Sequence, residues 1–436
     1  MAVYRQPGTV ITDHTFRVPL DHADPGGERI EVYAREVVAA GRETDPLPWL
    51  LFLQGGPGGR SPRPLGRDGW LTRALDDYRV LLLDQRGTGR STPANRQTLP
   101  LRGDASAQAS YLEHFRADSI VRDSELIRRE LLGEDGRWSL LGQSYGGFCT
   151  LTYLSFAPEG VREAFVTGGL AGLRSTAEGV YRAAYPRVER KIAAHYARYP
   201  EDVEAVRMVV RHLREREVRL ADGGLLTAEA FQATGTLLGT GTGSHTLHYL
   251  LEDAFVTGGS GPQLSDSFLA EVQGHLSFAG NPLYAVLHES IYGQRSVSPR
   301  ATGWAAESVR AEFPQFDVDK ALADDAPVLL TGEMIYPWMF ATDPALAPLR
   351  ETAHHLAQHE QWPDLYDPAQ LARNEVPVAA AVYHDDMYVD TADSLATARS
   401  VRNLRTWVTD EYEHDGLRVS GGRVLDRLIR LVRGEL

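Results

Sequence analysis

The sequence predicts an α/β protein with a mostly parallel sheet and an inserted helical cap. Short apolar runs alternate with helical patterns along residues 49–167, as in sheets that helices cover on both faces. Residues 175–316 have mostly helical patterns, and strand-like runs return only after them. The expected division is therefore a core in residues 1–172, a cap in residues 173–325 and the remainder of the core in residues 326–436.

The core is expected to begin with a hairpin, two strands and a helix. Apolar residues alternate along residues 15–38 on either side of Asp-Pro-Gly-Gly, which predicts a β-hairpin. Residues 49–53 and 80–83 are apolar throughout and too short for helices, so we expect two buried strands. Residues 117–132 place apolar side chains near helical spacing, and Gly133 then provides a helix stop.

The same reasoning supplies the other elements. Further strands are predicted at residues 139–141, 164–167, 327–331, 376–383 and 404–408. Further helices are predicted at residues 148–156, 188–197, 204–216 and 424–432. Because strands occur on both sides of the helical insertion, we expect one sheet that is completed after it.

Composition and charge exclude several classes of protein. Of the 436 residues, 43% are hydrophobic and 24% are charged, which is ordinary for a globular protein. Asp and Glu number 59 against 45 Lys and Arg, and the resulting net charge of −14 disfavours nucleic acids and anionic membranes as partners. The single cysteine, Cys149, excludes an intrachain disulfide and suits a reducing compartment. Because the pattern contains no secretory leader and no membrane span, we expect a cytoplasmic protein.

A Gly-x-Ser-x-Gly segment at residues 142–146 lies between a predicted strand and a predicted helix. A serine in such a sharp turn holds its hydroxyl above the edge of the sheet, and the flanking glycines relieve crowding. Ser144 is therefore the candidate nucleophile. The alternative is a chance match in a glycine-rich turn, and the strand and helix on either side favour the nucleophile.

A nucleophilic serine also needs hydrogen-bond donors for the oxyanion that forms when it attacks a carbonyl. In this architecture the donors are backbone N–H groups after the nucleophile and on an upstream loop. Gln-Gly-Gly-Pro-Gly at residues 54–58 directly follows the strand predicted at 49–53. The candidates are thus the N–H groups of Tyr145 and of Gly55 or Gly56, although an ordinary strand-ending turn is the alternative for the loop.

The remaining members of a triad are expected in the order acid, then histidine. His414 is the last histidine of the chain and follows the last predicted strand, so it is the candidate base. Asp385 and Asp386 follow the penultimate strand, and either one is positioned to orient the imidazole. Glu333 also follows a strand-like run and is a rival acid, but the order of the strands favours the Asp pair.

Three segments together resemble the proline iminopeptidases, serine peptidases of the S33 group with the α/β-hydrolase fold. They are Gly-Gly-Pro-Gly at residues 55–58, Asp-Gln-Arg-Gly-Thr-Gly-Arg-Ser at residues 84–91 and Gly-Gln-Ser-Tyr-Gly-Gly at residues 142–147. The chain length, the extended cap and the tail around His414 resemble the larger form of that enzyme. In the family a Met follows the acid, which implies Asp386 rather than Asp385. Gln54 replaces the His of many members, a departure that bears on specificity because the oxyanion donors are backbone groups.

The resemblance also implies how a substrate is held. An aminopeptidase must bind a charged N-terminus, which needs carboxylate partners when it is buried, and the family uses cap-side glutamates. Glu289 and Glu333, which lie among apolar and aromatic residues, are the expected pair, with structural ion pairs or surface acids as the alternative. Candidates for an apolar wall around the proline ring are Tyr145, Phe148, Tyr336 and Trp338.

The sequence therefore predicts a serine aminopeptidase that releases N-terminal proline from peptides through an acyl-enzyme. An esterase or amidase of the same fold would use the same triad without the acidic pair. A non-catalytic protein of this fold is disfavoured by the complete triad. No cofactor or metal is expected, since no spacing of His, Asp and Glu matches a metal site and residues 84–91 lack the Lys-Ser/Thr of a phosphate-binding loop. The expected partners are peptide substrates, with a homo-oligomer left open.

Overall fold

One large sheet forms the centre of the molecule. Within residues 2–259 and 261–436, which the computed structural model describes, nine strands form this sheet in the order β1-β2-β3-β5-β4-β6-β7-β10-β11. Its strands are β1 Val3–Gln6, β2 Thr9–Pro19, β3 Arg29–Ala39, β4 Trp49–Leu53, β5 Arg79–Asp84, β6 Trp138–Gln143, β7 Val161–Thr167, β10 Val378–Tyr383 and β11 Leu404–Thr409. A separate antiparallel pair consists of β8 Phe255–Gly258 and β9 Gly261–Leu264.

Strand direction divides the sheet into two parts. Strands β1, β2 and β3 are antiparallel, and β3 also pairs antiparallel with β5. From β5 onward the pairs β4–β5, β4–β6, β6–β7, β7–β10 and β10–β11 are all parallel. The predicted mostly parallel sheet is confirmed, and the hairpin predicted over residues 15–38 is the β2–β3 pair.

Helices connect the strands and build the cap. They are α1 Gly69–Asp77, α2 Ala105–Leu112, α3 Ala117–Leu132, α4 Tyr145–Phe156, α5 Ala177–Arg198, α6 Asp202–Glu215, α7 Ala228–Gln232, α8 Gly243–Glu252, α9 Asp266–Leu276, α10 Pro282–Leu287, α11 Ala305–Arg310, α12 Val318–Ala323, α13 Met339–Thr342, α14 Arg350–Ala357, α15 Pro368–Leu371, α16 Thr391–Ser400, α17 Gly416–Val419 and α18 Arg423–Arg433. Short 3₁₀ segments lie at Leu99–Arg102, Glu113–Phe115, Pro158–Gly160, Ala233–Gly239, Ser290–Tyr292, Pro314–Phe316 and Ala347–Leu349. Along residues 2–259 and 261–436, no helix combines the length and the apolar character needed to cross a bilayer.

Helices cover both faces of the central parallel strands, which explains why strands such as β4 and β10 are apolar throughout. Side chains alternate between the faces of a strand. Along β4, Leu50 and Phe52 pack in one cluster with α1 and α18, whereas Leu51 and Leu53 pack in another with α3 and α4. The predicted helix at residues 117–132 matches α3, and its buried face contains Ile120, Val121 and Ile127.

The helical insertion between β7 and β10 extends beyond its predicted end at residue 325. The strand predicted at residues 327–331 is wrong, because this segment joins neither sheet. Val328 and Leu330 are instead buried in the hydrophobic cluster of the cap, and the Thr331 N–H donates to the Gln232 carbonyl at 2.8 Å. The chain enters the large sheet again only at Val378, so the predicted boundary at 325/326 lies within the insertion.

Arg116 connects the core to the insertion. Its side chain is buried at the start of α3, and the residue is 1% exposed. The guanidinium donates to the carbonyl oxygens of Ser290 (2.8 Å), Gly293 (2.7 Å) and Pro363 (2.5 Å). It also lies 4.6 Å from the ring centre of Trp362. One buried cation therefore satisfies three carbonyl groups from two segments of the insertion.

Replacing Arg116 should loosen this attachment. Arg116→Met keeps the apolar stem but leaves the three carbonyl groups without their donor, a change that should cost about 2–4 kcal/mol of stability. Thermal unfolding and limited proteolysis would measure the loss. Arg122→Met, an exposed position on the same helix, is the matched control. Equal melting temperatures for the two variants would contradict the role assigned to Arg116.

Candidate active site

Ser144 occupies the sharp turn between β6 and α4. Its backbone has φ 55° and ψ −124°, a left-handed conformation that is unfavourable for a residue with a side chain. The turn is held by the Ser144 N–H, which donates to the Thr167 carbonyl at 3.0 Å, and by the Gly147 N–H, which donates to the Ser144 carbonyl at 2.7 Å. This strained strand–turn–helix geometry is typical of a serine nucleophile.

Glycines allow the turn to approach its neighbours. A Cβ on Gly146 would collide with the Leu53 carbonyl oxygen at the end of β4. A Cβ on Gly147 would collide with the backbone of Gly169, just after β7. The spacing of glycines around Ser144 is therefore a requirement of backbone packing.

His414 and Asp386 form a buried pair. The Nδ1 of His414 lies 2.7 Å from Oδ2 of Asp386, and the residues are 7% and 2% exposed. The other carboxylate oxygen of Asp386 accepts from the N–H groups of Tyr388 (2.8 Å) and Val389 (3.1 Å). A hydrogen bond from Nδ1 leaves Nε2 as the basic nitrogen of the neutral ring. Asp385, the alternative acid, is exposed and lies 3.0 Å from His384.

The environment of His414 favours its charged form. Burial works to lower the pKa of the imidazole, but the negative charge of Asp386 and the hydrogen bond to it have the opposite effect. The result is a pKa above the usual value of 6.5. The imidazolium that forms when a base accepts a proton is thereby stabilised.

The glycine-rich loop after β4 lies beside the nucleophile. A Cβ built on Gly55 would be 2.9 Å from the Cβ of Ser144, so the two backbones are close neighbours. Tyr145 is the first residue of α4, where backbone N–H groups have no partner within the helix. The loop contains a cis bond between Gly56 and Pro57, and the Pro57 carbonyl accepts from the Asn281 side chain of the cap at 3.2 Å.

A cavity of about 460 Å³ brings the core and the insertion together around Ser144. From the core it is lined by residues that include Gly55, Gly56, Ser144, Tyr388, His414 and Arg418. From the insertion it is lined by residues that include Asn281, Tyr284, Glu333 and Trp338. In this arrangement a nucleophile, a general base and oxyanion donors can act on one carbonyl group bound in the cavity.

Three of the four expected wall residues do not line the cavity. Tyr336 is fully buried in the cap, where its hydroxyl lies 2.9 Å from that of Tyr185, so its prediction as a cavity residue is wrong. Trp338 stacks on Tyr336 with ring centres 5.5 Å apart and reaches the cavity. Tyr145 and Phe148 are buried against each other and also do not line the cavity.

Glu333 supplies a carboxylate inside the cavity. Its Oε1 accepts a hydrogen bond from the Tyr284 hydroxyl. Burial raises the pKa of Glu333 to about 7, although the hydrogen bond from Tyr284 opposes the rise. A buried carboxylate without a cation is costly, and a cationic group of a ligand would remove that cost.

Glu289 does not join Glu333 at the wall of the cavity, so the expected direct pair is not formed. Its Oε1 accepts from the Ala306 N–H at 3.1 Å, its Oε2 has no partner, and burial raises its pKa to about 7. Burial and then the charges of Glu289 and Glu333 raise the pKa of Tyr181. Both carboxylates are therefore near that buried ring, and only Glu333 lines the cavity.

Sequence reasoning missed Tyr284, Tyr388 and Arg418. Tyr284 shares its segment with Glu289, and Tyr388 follows Asp386 by two residues. Nearness in sequence to a candidate residue was therefore the signal that could have identified these two tyrosines. The ring centre of Tyr388 lies 4.7 Å from that of His414. Among residues 2–259 and 261–436, no group of three or more His, Cys, Asp or Glu side chains is arranged to hold a metal ion.

Comparison with known proteins finds related sequences and structures. The family model of the alpha/beta hydrolase fold matches residues 48–417. A proline iminopeptidase of Aeromonas sobria is 50% identical over 421 residues, which are 96% of this chain and 96% of that protein. A proline iminopeptidase of Aspergillus aculeatus is 35% identical over 430 residues, which are 95% of this chain and 92% of that protein. A solved acetylester hydrolase from Corynebacterium glutamicum covers 96% of this chain and 94% of that chain, with 15% identity and a TM-score of 0.41.

The two adjacent aspartates provide a test of the triad geometry. Asp386→Asn should lower kcat by about 10⁴, as in other Ser-His-Asp hydrolases, because an amide favours the wrong tautomer of His414. Asp385→Asn should leave kcat near the wild-type value, because Asp385 is exposed and bonds to His384. Initial rates on an activated ester would measure both. A larger loss for Asp385→Asn would reject Asp386 as the acid.

Proposed function

This chain belongs to the proline iminopeptidase family of α/β hydrolases, and we propose that it releases N-terminal proline from peptides through an acyl-enzyme on Ser144. The observation that carries the proposal is the half-buried Glu333, whose carboxylate lies in the same cavity as Ser144 and His414. A hydrolase of neutral esters has no use for such a group. A hydrolase of substrates with a free amine needs one.

The bond-breaking steps follow from the triad. Ser144 attacks the carbonyl carbon of the N-terminal residue while His414 takes its hydroxyl proton, and Asp386 stabilises the imidazolium. The N–H groups of Tyr145 and of Gly55 or Gly56 stabilise the oxyanion. His414 then gives the proton to the leaving nitrogen, which frees the shortened peptide. Water attacks the acyl-enzyme with the same base, which releases proline and restores Ser144.

Substrate recognition is assigned to the cap side of the cavity. Glu333 pairs with the ammonium group of the proline, and Tyr284 holds that carboxylate in place. Glu289, which does not line the cavity, adds negative potential without contacting the amine. Trp338 offers an apolar surface for the pyrrolidine ring. The cytoplasmic location remains a prediction. Whether the chain forms a homo-oligomer remains open.

Glu333→Gln tests the function directly. The change preserves shape but removes a charge-assisted hydrogen bond worth roughly 1.5–3 kcal/mol, so kcat/KM for a proline arylamide should fall about 10- to 150-fold. Glu289→Gln should cause a smaller fall on the same substrate. Neither change should affect an uncharged ester, because the triad is intact. Glu307→Gln, an exposed acid on α11, is the matched control.

The same substrates distinguish the proposal from an esterase or amidase without amine specificity. Wild-type enzyme should cleave proline arylamide far better than its N-acetylated form, because acetylation removes the positive charge that Glu333 binds. Equal cleavage of the two forms would overturn the aminopeptidase and leave the esterase or amidase.

The pH profile should report the ionisation of Glu333. Burial raises the pKa of this carboxyl to about 7, so below that pH it is protonated and cannot pair with an ammonium group. The kcat/KM for proline arylamide should therefore fall as the pH decreases through about 7. For an uncharged ester, the pH profile of kcat/KM should show only the fall caused by protonation of His414. The fall attributed to Glu333 should be absent from the pH profile of Glu333→Gln on proline arylamide. If that fall persisted in the variant, the assignment of this ionisation to Glu333 would be refuted.

A further inference from the structure

The cavity contains one permanently cationic side chain among its described lining residues, and it is Arg418. Arg418 lies on α17 (Gly416–Val419), in the core segment that follows His414. None of the ion pairs formed by the described residues includes Arg418. Arg418 is an exposed residue, and its positive charge borders the cavity with no carboxylate of the described residues paired to it.

The acids that line the same cavity are engaged elsewhere. Asp222 and Asp343 accept hydrogen bonds of 2.7–2.9 Å from nearby backbone N–H groups, and both belong to the insertion. Glu333 also belongs to the insertion and accepts from a tyrosine hydroxyl. The cavity therefore combines anionic groups on the cap side with one unpaired cation on the core side.

The position of Arg418 relates it to the leaving group of the reaction. Burial and, to a smaller extent, the positive charge of Arg418 lower the pKa of His414, against the stronger rise caused by Asp386. Arg418 follows His414 by four residues, and both side chains line the same cavity. His414 gives a proton to the departing nitrogen, so the residue that follows proline must lie beside the same imidazole. A peptide bound in this way would continue past His414 on the core side of the cavity, which Arg418 also lines.

We propose that Arg418 binds the C-terminal carboxylate of the substrate, so that the enzyme favours dipeptides over longer peptides. The inference rests on the proposed function, since it assumes that a peptide amine leaves through His414. A guanidinium matches a carboxylate with two parallel charge-assisted hydrogen bonds. With Glu333 at the ammonium and Arg418 at the carboxylate, the cavity complements both charges of a short zwitterionic peptide.

The test compares four substrates in wild-type enzyme and Arg418→Met. They are the dipeptide Pro-Gly, its C-terminal amide, a six-residue peptide that starts with proline, and proline arylamide. KM for Pro-Gly should rise about 10-fold with little change in kcat, because the lost contact is the same in the bound substrate and the transition state. The other three substrates lack a carboxylate at this distance and should change little. Arg418→Lys should recover part of the affinity for Pro-Gly.

Controls separate a carboxylate site from a general effect of charge. Arg399→Met removes one exposed positive charge from α16, away from the cavity, and should behave as wild type on all four substrates. Loss of the Arg418 charge should also shift the pH at which His414 becomes protonated, and this shift should be equal for every substrate. The assays are therefore made at a pH where His414 is neutral in both enzymes. An unchanged KM for Pro-Gly in Arg418→Met, or an equal loss on all four substrates, would overturn the carboxylate site.

Proline arylamide distinguishes failure of this inference from failure of the proposed function. It has a free amine but no carboxylate, so wild-type turnover of it depends on the aminopeptidase activity alone. Absence of that turnover rejects the proposed function and this inference together. Turnover of the arylamide with equal KM values for Pro-Gly and its amide rejects the carboxylate site and leaves the aminopeptidase intact.

Discussion

Close contact between backbone segments at the turn after β6 is the constraint on which the site depends. Gly146 lies against the Leu53 carbonyl at the end of β4, and Gly147 lies against Gly169 after β7. These contacts fix the turn between two neighbouring strands, and they also set the glycine-rich loop after β4 beside Ser144. The surrounding sheet maintains the left-handed backbone of the serine, since a strained conformation persists only where its neighbours determine it.

Parallel strands bring the other catalytic loops to the same edge, and the cap holds those loops in place. Helix α5 of the cap contacts the segments that follow β10 and β11. Lys191 Nζ lies 2.5 Å from Oε1 of Glu413, the residue before the candidate base His414. One helical turn earlier, Arg187 pairs with Asp390, four residues after the candidate acid Asp386. The insertion thus acts both as the wall of the cavity and as a support for the acid and the base.

The buried acids show a conflict between stability and binding. Glu333 and Glu289 lie among apolar and aromatic groups, and burial raises the pKa of each to about 7. Their ionised forms are costly in the free protein, because no described Lys or Arg lies within 4 Å to pair with either one. A substrate ammonium would provide that partner. Sites that are unfavourable without their ligand are expected where proteins give up stability for function.

The sequence by itself determined the order of most core elements and the identity of Ser144 and His414 as candidates. Those features depend on local periodicity, on glycine spacing and on chain order, which a sequence displays directly. Only the tertiary structure decided that residues 327–331 belong to the cap core, that Tyr336 does not line the cavity and that Arg418 borders it. An apolar pattern shows that a segment is buried but not which core buries it, and the neighbours of a side chain are set by contacts between distant parts of the chain.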